Sequence, residues 1–185
     1  MLPRITLLTL RLCLRPYELT DAPEFFALLD GDRTRFHTSF PDRLQAVRTL
    51  PDATVALRTF ADDWHTGRFY VFGLWHRTNG AYLGDICIMP QSKGQAEIGY
   101  YLAAAAEGHG YAREALAAVV QFGFGTMRSQ RLLIRCYAQN VRGQAVARAA
   151  GFQPEPQPKR PLWFRNADEV GNIRRFVLTP AGQLA

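Results

Sequence analysis

One segment of the sequence joins a strand directly to a helix through two closely spaced glycines. Residues 96–102 have the pattern of a strand, and residues 112–127 repeat apolar side chains at helical spacing. Gly108 and Gly110 lie just before the helix, where the backbone can take a positive φ or approach a ligand closely. The first N–H groups of a helix have no intrahelical partner and favour anions. The segment therefore predicts a phosphate site, although a tight turn without a ligand explains the glycines alone equally well.

Strands and helices flank this segment in a mixed order. Strands are predicted over 7–16, 69–77, 82–89, 96–102, 131–137, 162–165 and 173–178, and helices over 21–31, 53–65, 112–127 and 140–150. Turn signals at Asn79-Gly80 and Lys93-Gly94 predict an antiparallel meander of the three central strands. The strand, helix and strand that follow predict one parallel crossover. Residues 33–52 are interpreted as a loop or a short helix near a binding cleft.

The composition limits the class of protein. With 185 residues and 48% apolar content, residues 1–185 suit a single domain with a buried core. The apolar runs are shorter than the roughly 18 residues of a membrane span and the N-terminus lacks a signal-like run, so we expect a cytoplasmic protein. The net charge of +6 favours a polyanionic partner such as a nucleotide cofactor. Because the arginines are scattered, direct nucleic-acid binding is disfavoured.

Cysteine and histidine spacing predicts neither a disulfide framework nor a metal site. The cysteines are odd in number, far apart and flanked by strand-forming residues, which indicates reduced thiols in strands: Cys13, Cys87 and Cys136. The histidines lack the HExxH pattern and any paired-ligand spacing: His37, His65, His76 and His109. We therefore predict no bound metal. A covalent cysteine mechanism is also disfavoured, because no cysteine lies beside a predicted base.

The glycine-containing turn resembles a known motif. The run Glu107-Gly108-His109-Gly110-Tyr111-Ala112 resembles the diphosphate-binding motif of the GNAT superfamily of N-acetyltransferases, written (Gln/Arg)-x-x-Gly-x-(Gly/Ala). The preceding run Glu97-Ile98-Gly99-Tyr100 and the later stretch from Asn140 to Gly151-Phe152 resemble its ribosomal-protein N-terminal acetyltransferase subgroup. The resemblance covers essentially the whole chain. It implies an α/β GNAT fold, with a mixed, largely antiparallel sheet of six or seven strands and helices on both faces.

The resemblance also implies acetyl-CoA as co-substrate and a set of residues that bind it. In this family two central strands splay apart and the pantetheine arm lies in the gap. By resemblance, the residues that face the pantetheine and thioester are Tyr100, Tyr101 and Leu102. The backbone N–H groups that hold the diphosphate belong to Gly108, His109, Gly110, Tyr111 and Ala112. Asn140 matches a family asparagine that contacts the cofactor, a role compatible with a plain helix N-cap.

Three positions depart from the family pattern. Glu107 replaces the usual Gln or Arg, and we expect its carboxylate to point into solvent. Gly143 and Ala147 replace the serine and tyrosine that are proposed to protonate the departing thiolate. Tyr137 or a water can serve instead, although a buried structural tyrosine explains Tyr137 equally well. Glu97 is the candidate general base, acting through water, and its alternative is a solvated carboxylate at the strand edge.

The chemistry of the acceptor favours an amine of low pKa. An α-amine with a pKa of about 8 is partly neutral at neutral pH, whereas a lysine near 10.4 costs about 4 to 5 kcal/mol to deprotonate. An α-amine or another amine of low pKa is therefore the easier acceptor. The resemblance implies a protein N-terminus, and we expect direct acetyl transfer with the oxyanion held by strand N–H groups. A small-molecule amine acceptor, a non-catalytic acyl-CoA-binding module and an RNA-binding protein are the alternatives. The sequence is compatible with a homodimer but does not determine the oligomeric state.

Overall fold

A single mixed sheet runs through the computed structural model, which describes residues 2–155 and 173–180. Its eight strands are β1 (Leu7–Leu8), β2 (Leu12–Arg15), β3 (Tyr70–His76), β4 (Tyr82–Pro90), β5 (Gln95–Leu102), β6 (Arg131–Tyr137), β7 (Gln153–Pro154) and β8 (Ile173–Leu178). The spatial order is β1-β2-β3-β4-β5-β6-β8-β7. Only β5 and β6 pair in parallel within the described residues. The mixed, largely antiparallel sheet is confirmed, and the two-residue strands β1 and β7 bring it to eight strands.

Six α-helices accompany the sheet in the described residues. They are α1 (Ala22–Gly31), α2 (Arg33–Phe36), α3 (Pro41–Ala46), α4 (Leu50–Thr66), α5 (Tyr111–Gln121) and α6 (Val141–Ala149). Helix α5 continues into a single π-helical turn at Phe122–Thr126. None of the described helices is long and apolar enough to cross a membrane. The strand predicted over 162–165 lies outside the described residues.

The core has two parts because strand side chains alternate between the two faces of the sheet. The α5 face packs helix α5 and Ala147 of α6 against strand residues that include Leu12, Leu14, Phe72, Ile86 and Ile98. The opposite face, here called the α1–α4 face, packs Phe25, Phe36, Leu44 and Leu57 against strand residues that include Val71 and Tyr101. Helices therefore cover both faces, as the resemblance implies.

The first predicted strand, over 7–16, is a hairpin in the structure. Leu7 lies opposite Leu14. After β1, the backbone N–H of Thr9 donates to the carbonyl of Leu12, and the N–H of Leu12 donates to the hydroxyl of Thr9. Leu10 at the turn is 87% exposed, so the prediction of one continuous strand is wrong. The physical reason is distant in sequence, because the carboxylate of Glu114 on α5 accepts hydrogen bonds from the turn.

The stretch 33–52 forms α2, α3 and the start of α4. Pro41 occupies the first turn of α3, where its missing N–H costs nothing. Arg33 donates to the carbonyls of Leu44 and Val47, at 3.3 and 2.8 Å, which fixes the loop after α3. Thr49 and Asp52 form a capping box that begins α4 before the predicted residue 53. These short helices cover part of the α1–α4 face.

The parallel strands β5 and β6 separate after four paired residues. Their register runs from Gln95 opposite Arg131 to Ile98 opposite Ile134. Beyond that point β5 pairs with β4 alone and β6 pairs with β8. An opening therefore separates residues 99–102 from residues 135–137, where the resemblance implies one.

Candidate active site

The carboxyl half of β5 turns one backbone edge toward this opening. The N–H of Ala103 donates to the carbonyl of Leu83 at 2.8 Å, so the backbone groups of residue 103 point toward β4. Because the backbone groups of an antiparallel strand alternate in direction, those of Tyr100 and Leu102 face away from β4 and toward the opening. The carbonyl of Leu102 accepts a hydrogen bond from the guanidinium of Arg35 on α2. This edge can pair with an extended ligand that carries amides.

Residues 108–112 end the turn between β5 and α5 and begin the helix. Gly108 and Gly110 both have φ of +80°, which glycine adopts without strain. Gly110 is the N-cap of α5 and supplies no side-chain cap. Within residues 2–155 and 173–180, no acceptor lies within hydrogen-bond distance of the N–H groups of residues 108–112. A Cβ placed on Gly108 meets nothing within 4 Å, so the corner is open to an anion.

The guanidinium of Arg11 and the rings of His109 and Tyr111 contact one another at this turn. Arg11 donates to the carbonyl of His109 at 2.9 Å, and its guanidinium lies 4.6 Å from the ring centroid of Tyr111. The rings of His109 and Tyr111 stack with centroids 5.6 Å apart. These contacts hold the backbone of the turn in shape.

Glu107 does not point into solvent, and this prediction is wrong. Its carboxylate forms an ion pair with Arg35 of α2 and another with Arg142 of α6, the latter at 2.9 Å. One arginine belongs to α2 and the other to α6. Two positive charges therefore neutralise the carboxylate that replaces the usual Gln or Arg.

The residues predicted to face the pantetheine divide between the two faces. The side chains of Tyr100 and Leu102 belong to the α5 face, next to the opening. Alternation along β5 turns the ring of Tyr101 to the other face, where it packs against Phe36 and Phe40 at centroid distances of 4.9 and 5.2 Å. The side chain of Tyr101 therefore faces the α1–α4 side of the sheet, and the cofactor contacts of all three residues stay predictions.

Glu97 and Tyr137 lie on neighbouring strands. The side chain of Glu97 is 17% exposed and accepts a hydrogen bond from Arg135 of β6 at 2.6 Å. Tyr137, two residues after Arg135, falls on the same face of the sheet by alternation. The carbonyl of Tyr137 accepts the N–H of Asn140, where α6 begins. No hydrogen bond joins Glu97 to Tyr137 in the part of the chain that the structure describes, and their catalytic roles stay predictions.

A buried polar cluster beneath Tyr101 was not predicted from the sequence. The carboxylate of Asp85 on β4 is buried and lies 3.3 Å from the guanidinium of Arg43 and 3.2 Å from the hydroxyl of Tyr17. Burial raises the pKa of Asp85, although Arg43 and the tyrosine hydroxyls act in the opposite direction. Tyr82 extends the cluster through a 2.5 Å contact with Tyr17. An aspartate inside an apolar strand is the signal that could have revealed this cluster.

The three cysteines are free thiols on β2, β4 and β6. Burial raises the pKa of Cys87 to about 12, and burial also raises the pKa of Cys136. A thiol with a raised pKa is a poor nucleophile because little thiolate forms at neutral pH. The raised pKa values of these two thiols therefore favour direct transfer over a covalent cysteine intermediate.

The structure explains two of the departures from the family pattern. The side-chain oxygen of Asn140 accepts the N–H of Gly143 at 2.8 Å, which confirms Asn140 as the N-cap of α6. A Cβ on Gly143 would lie only 2.7 Å from the side-chain nitrogen of Asn140 in this arrangement. Ala147 is fully buried in the core of the α5 face, where a tyrosine ring would have to displace its neighbours. The missing serine and tyrosine thus agree with local packing.

Comparisons with known proteins agree with this geometry. The sequence pattern of the acetyltransferase (GNAT) domain matches residues 11–153. YoaA of Bacillus subtilis, an uncharacterised N-acetyltransferase, is 28% identical over 170 residues, which cover 90% of this chain and 93% of YoaA.

Two solved structures share the fold. A Vibrio cholerae protein, provisionally described as a ribosomal-protein-serine acetyltransferase, superimposes with a TM-score of 0.76 at 26% identity, covering 97% of this chain and 100% of the other. RimL, a ribosomal L7/L12 α-N-protein acetyltransferase in complex with coenzyme A, superimposes with a TM-score of 0.79 at 17% identity, covering 95% and 98%. The match over most of the sequence, the splayed strands and the open turn before α5 show that the chain belongs to the GNAT acetyltransferase family, as an acyl-CoA-dependent N-acyltransferase that uses acetyl-CoA as co-substrate.

Proposed function

We propose that this protein transfers the acetyl group of acetyl-CoA directly to the α-amine of a protein N-terminus. The observation that carries the proposal is the open turn of residues 108–112 at the end of the β5–β6 opening. The backbone N–H groups of Gly108, His109, Gly110, Tyr111 and Ala112 would bind the diphosphate. The backbone edge at Tyr100 and Leu102 would pair with the pantetheine arm, and the side chain of Asn140 would contact the cofactor from α6.

The acceptor is proposed from chemistry and from the relatives. An α-amine has a pKa of about 8, so it is partly neutral at neutral pH and can attack without a strong base. RimL is named for the α-amine of a ribosomal protein, and the Vibrio cholerae protein is named for a ribosomal-protein serine. Both names support a protein N-terminus as the acceptor.

Two side chains are proposed to move the protons of the reaction. Glu97 would accept the amine proton through a water once it exchanges its contact with Arg135. Backbone N–H groups of β5 would stabilise the oxyanion that forms on the acetyl carbonyl. Tyr137, or a water in its place, would return a proton to the CoA thiolate. That thiolate is a tolerable leaving group, since a thiol has a pKa of about 8.5.

A matched pair of glycine variants tests the cofactor site. Gly108→Asn keeps the positive φ, which asparagine tolerates, and places a side chain over the open turn. Gly80 has a φ of +70° and equally open surroundings in the β3–β4 hairpin, so Gly80→Asn is the control. We expect CoA to raise the melting temperature of the wild type and of Gly80→Asn, but not of Gly108→Asn. An equal rise in all three proteins would contradict the assignment.

The acceptor is tested by mass spectrometry after incubation with acetyl-CoA. Acetylation at the α-amine of peptide substrates, with lysine side chains and small amines unmodified, supports the proposal. Acetylation of small amines alone would instead assign a small-molecule acceptor. CoA binding without acetylation of any amine would indicate a binding module, the alternative that Gly143 and Ala147 favour.

A further inference from the structure

An ion pair spans the two elements that border the cofactor opening. Glu107 lies directly before Gly108 in the turn that follows β5, and its Oε2 accepts from Nη1 of Arg142 at 2.9 Å. Arg142 is the second residue of α6, the helix that follows β6. Its side chain is 87% exposed, and it already reaches the turn whose free N–H groups form the anion site. Arg142 is therefore within reach of an anion bound at that turn.

Glu107 has a second cationic partner that stays in place. Arg35 donates to the other carboxylate oxygen of Glu107, to Asp32 at 2.7 Å and to the carbonyl of Leu102. The side chain of Arg35 is 33% exposed and its guanidinium lies 4.4 Å from the ring centroid of Phe36. Among the residues that the structure describes, Arg35 has several contacts and Arg142 has one, so Glu107 can lose Arg142 and still remain paired.

Arg142 can leave the carboxylate of Glu107 for a bound phosphate at little cost in free energy. An exposed ion pair contributes little free energy, because water and salt screen the charges. A diphosphate carries more negative charge than one carboxylate, and the arginine fork matches phosphate oxygens well. A phosphate bound beside Gly108 would therefore outcompete Glu107 for Arg142.

We propose that Arg142 is a ligand for the phosphates of acetyl-CoA and that Glu107 competes with those phosphates for it. This inference rests on the proposed cofactor site. Arg142 then supplies from α6 the phosphate contact that the family motif supplies from the position of Glu107. Glu107 lowers the affinity in two ways, since it holds Arg142 in the free protein and places a negative charge next to the anion site.

Calorimetric titration with CoA tests the two residues separately. We expect Glu107→Gln to bind CoA roughly threefold to tenfold more tightly than the wild type and Arg142→Ala to bind about tenfold more weakly, in low salt. The controls are Asp63→Asn and Arg68→Ala, which change the same charges in a partly exposed ion pair at the carboxyl end of α4. Both controls should leave the affinity unchanged.

The double variant separates phosphate binding from simple charge neutralisation. If Arg142 binds phosphate, Arg142→Ala weakens CoA binding in the Glu107→Gln background as well. If Arg142 only neutralises Glu107, its removal has no effect in that background, and the inference is overturned. Weaker binding by Glu107→Gln alone would also overturn it. If the wild type itself fails to bind CoA, the proposed function fails, which is a different result.

Discussion

Arg11 and Glu114 fasten the first hairpin to the first turn of α5. The backbone N–H of Arg11 donates to Oε1 of Glu114 at 2.7 Å, and Nε of Arg11 donates to Oε2 at 2.7 Å. The hydroxyl of Thr9 adds a third hydrogen bond at 2.6 Å. Burial alone would raise the pKa of Glu114, but these hydrogen bonds and the Arg11 charge outweigh it, so the pKa lies below its ordinary value. The carboxylate holds the hairpin turn in place beside the proposed cofactor site.

Glu114→Gln should therefore destabilise the protein in a pH-dependent way. A carboxyl group whose pKa is lowered by folding stabilises the folded state above its unfolded pKa of about 4.3. That contribution disappears as the pH falls through the lower, folded pKa. We expect the variant to lose about 1 to 2 kcal/mol of unfolding free energy near pH 7. The difference in unfolding free energy between wild type and variant should become smaller below about pH 4.

Urea denaturation of the wild type and the variant, near pH 7 and below about pH 4, measures this loss of unfolding free energy. The matched control is Glu24→Gln, because Glu24 is exposed on α1. The control should change the unfolding free energy little at either pH. A loss from Glu114→Gln that is the same at both pH values would contradict the role of the charged carboxylate.

The buried pair of Asp85 and Arg43 fastens α3 to the sheet. Asp85→Asn would leave the Arg43 guanidinium buried without its counter-charge, so we expect a loss of roughly 3 kcal/mol in unfolding free energy. Adding Arg43→Met removes the unpaired charge and should recover much of the loss. Denaturant titrations of the two single variants and the double variant measure the coupling. If the losses of unfolding free energy in the two single variants simply add in the double variant, Asp85 and Arg43 do not stabilise the fold as a pair.

Two substitutions can separate the capping role of Asn140 from its proposed contact with the cofactor. Asn140→Ala removes the cap of α6 and should cost about 1 kcal/mol of unfolding free energy. Asn140→Asp keeps an oxygen for the Gly143 N–H, so its stability should stay near that of the wild type. If the side-chain amide also contacts the cofactor, both variants bind CoA more weakly. Unchanged CoA affinity in Asn140→Asp would leave only the capping role.

Local pattern was enough to predict most strands and the helix after the glycine turn. The predicted bounds of β6 and β8 agree with the structure, because their alternating or apolar runs end at clear turn residues. The motif from Glu107 to Ala112 was located because glycine spacing is a property of consecutive residues. Its open backbone geometry follows from the same residues.

Contacts between distant residues explain what the sequence did not reveal. The break between β1 and β2 depends on Glu114, more than 100 residues away in the chain. The orientation of Glu107 depends on Arg35 and Arg142, which come from α2 and α6. The buried partner of Asp85 is Arg43, from a stretch interpreted as a loop or short helix. No local periodicity encodes such pairs, since each requires the assembled fold.

Backbone amide NMR of the turn before α5 tests the central claim most directly. Titration with CoA should shift the amide resonances of Gly108 and Gly110 strongly, because their N–H groups would bind the diphosphate. Pantetheine, which lacks phosphates, should shift resonances of β5 and leave those two glycines nearly unchanged. If CoA binds and shifts other residues while both glycine amides stay in place, the proposed diphosphate site is contradicted.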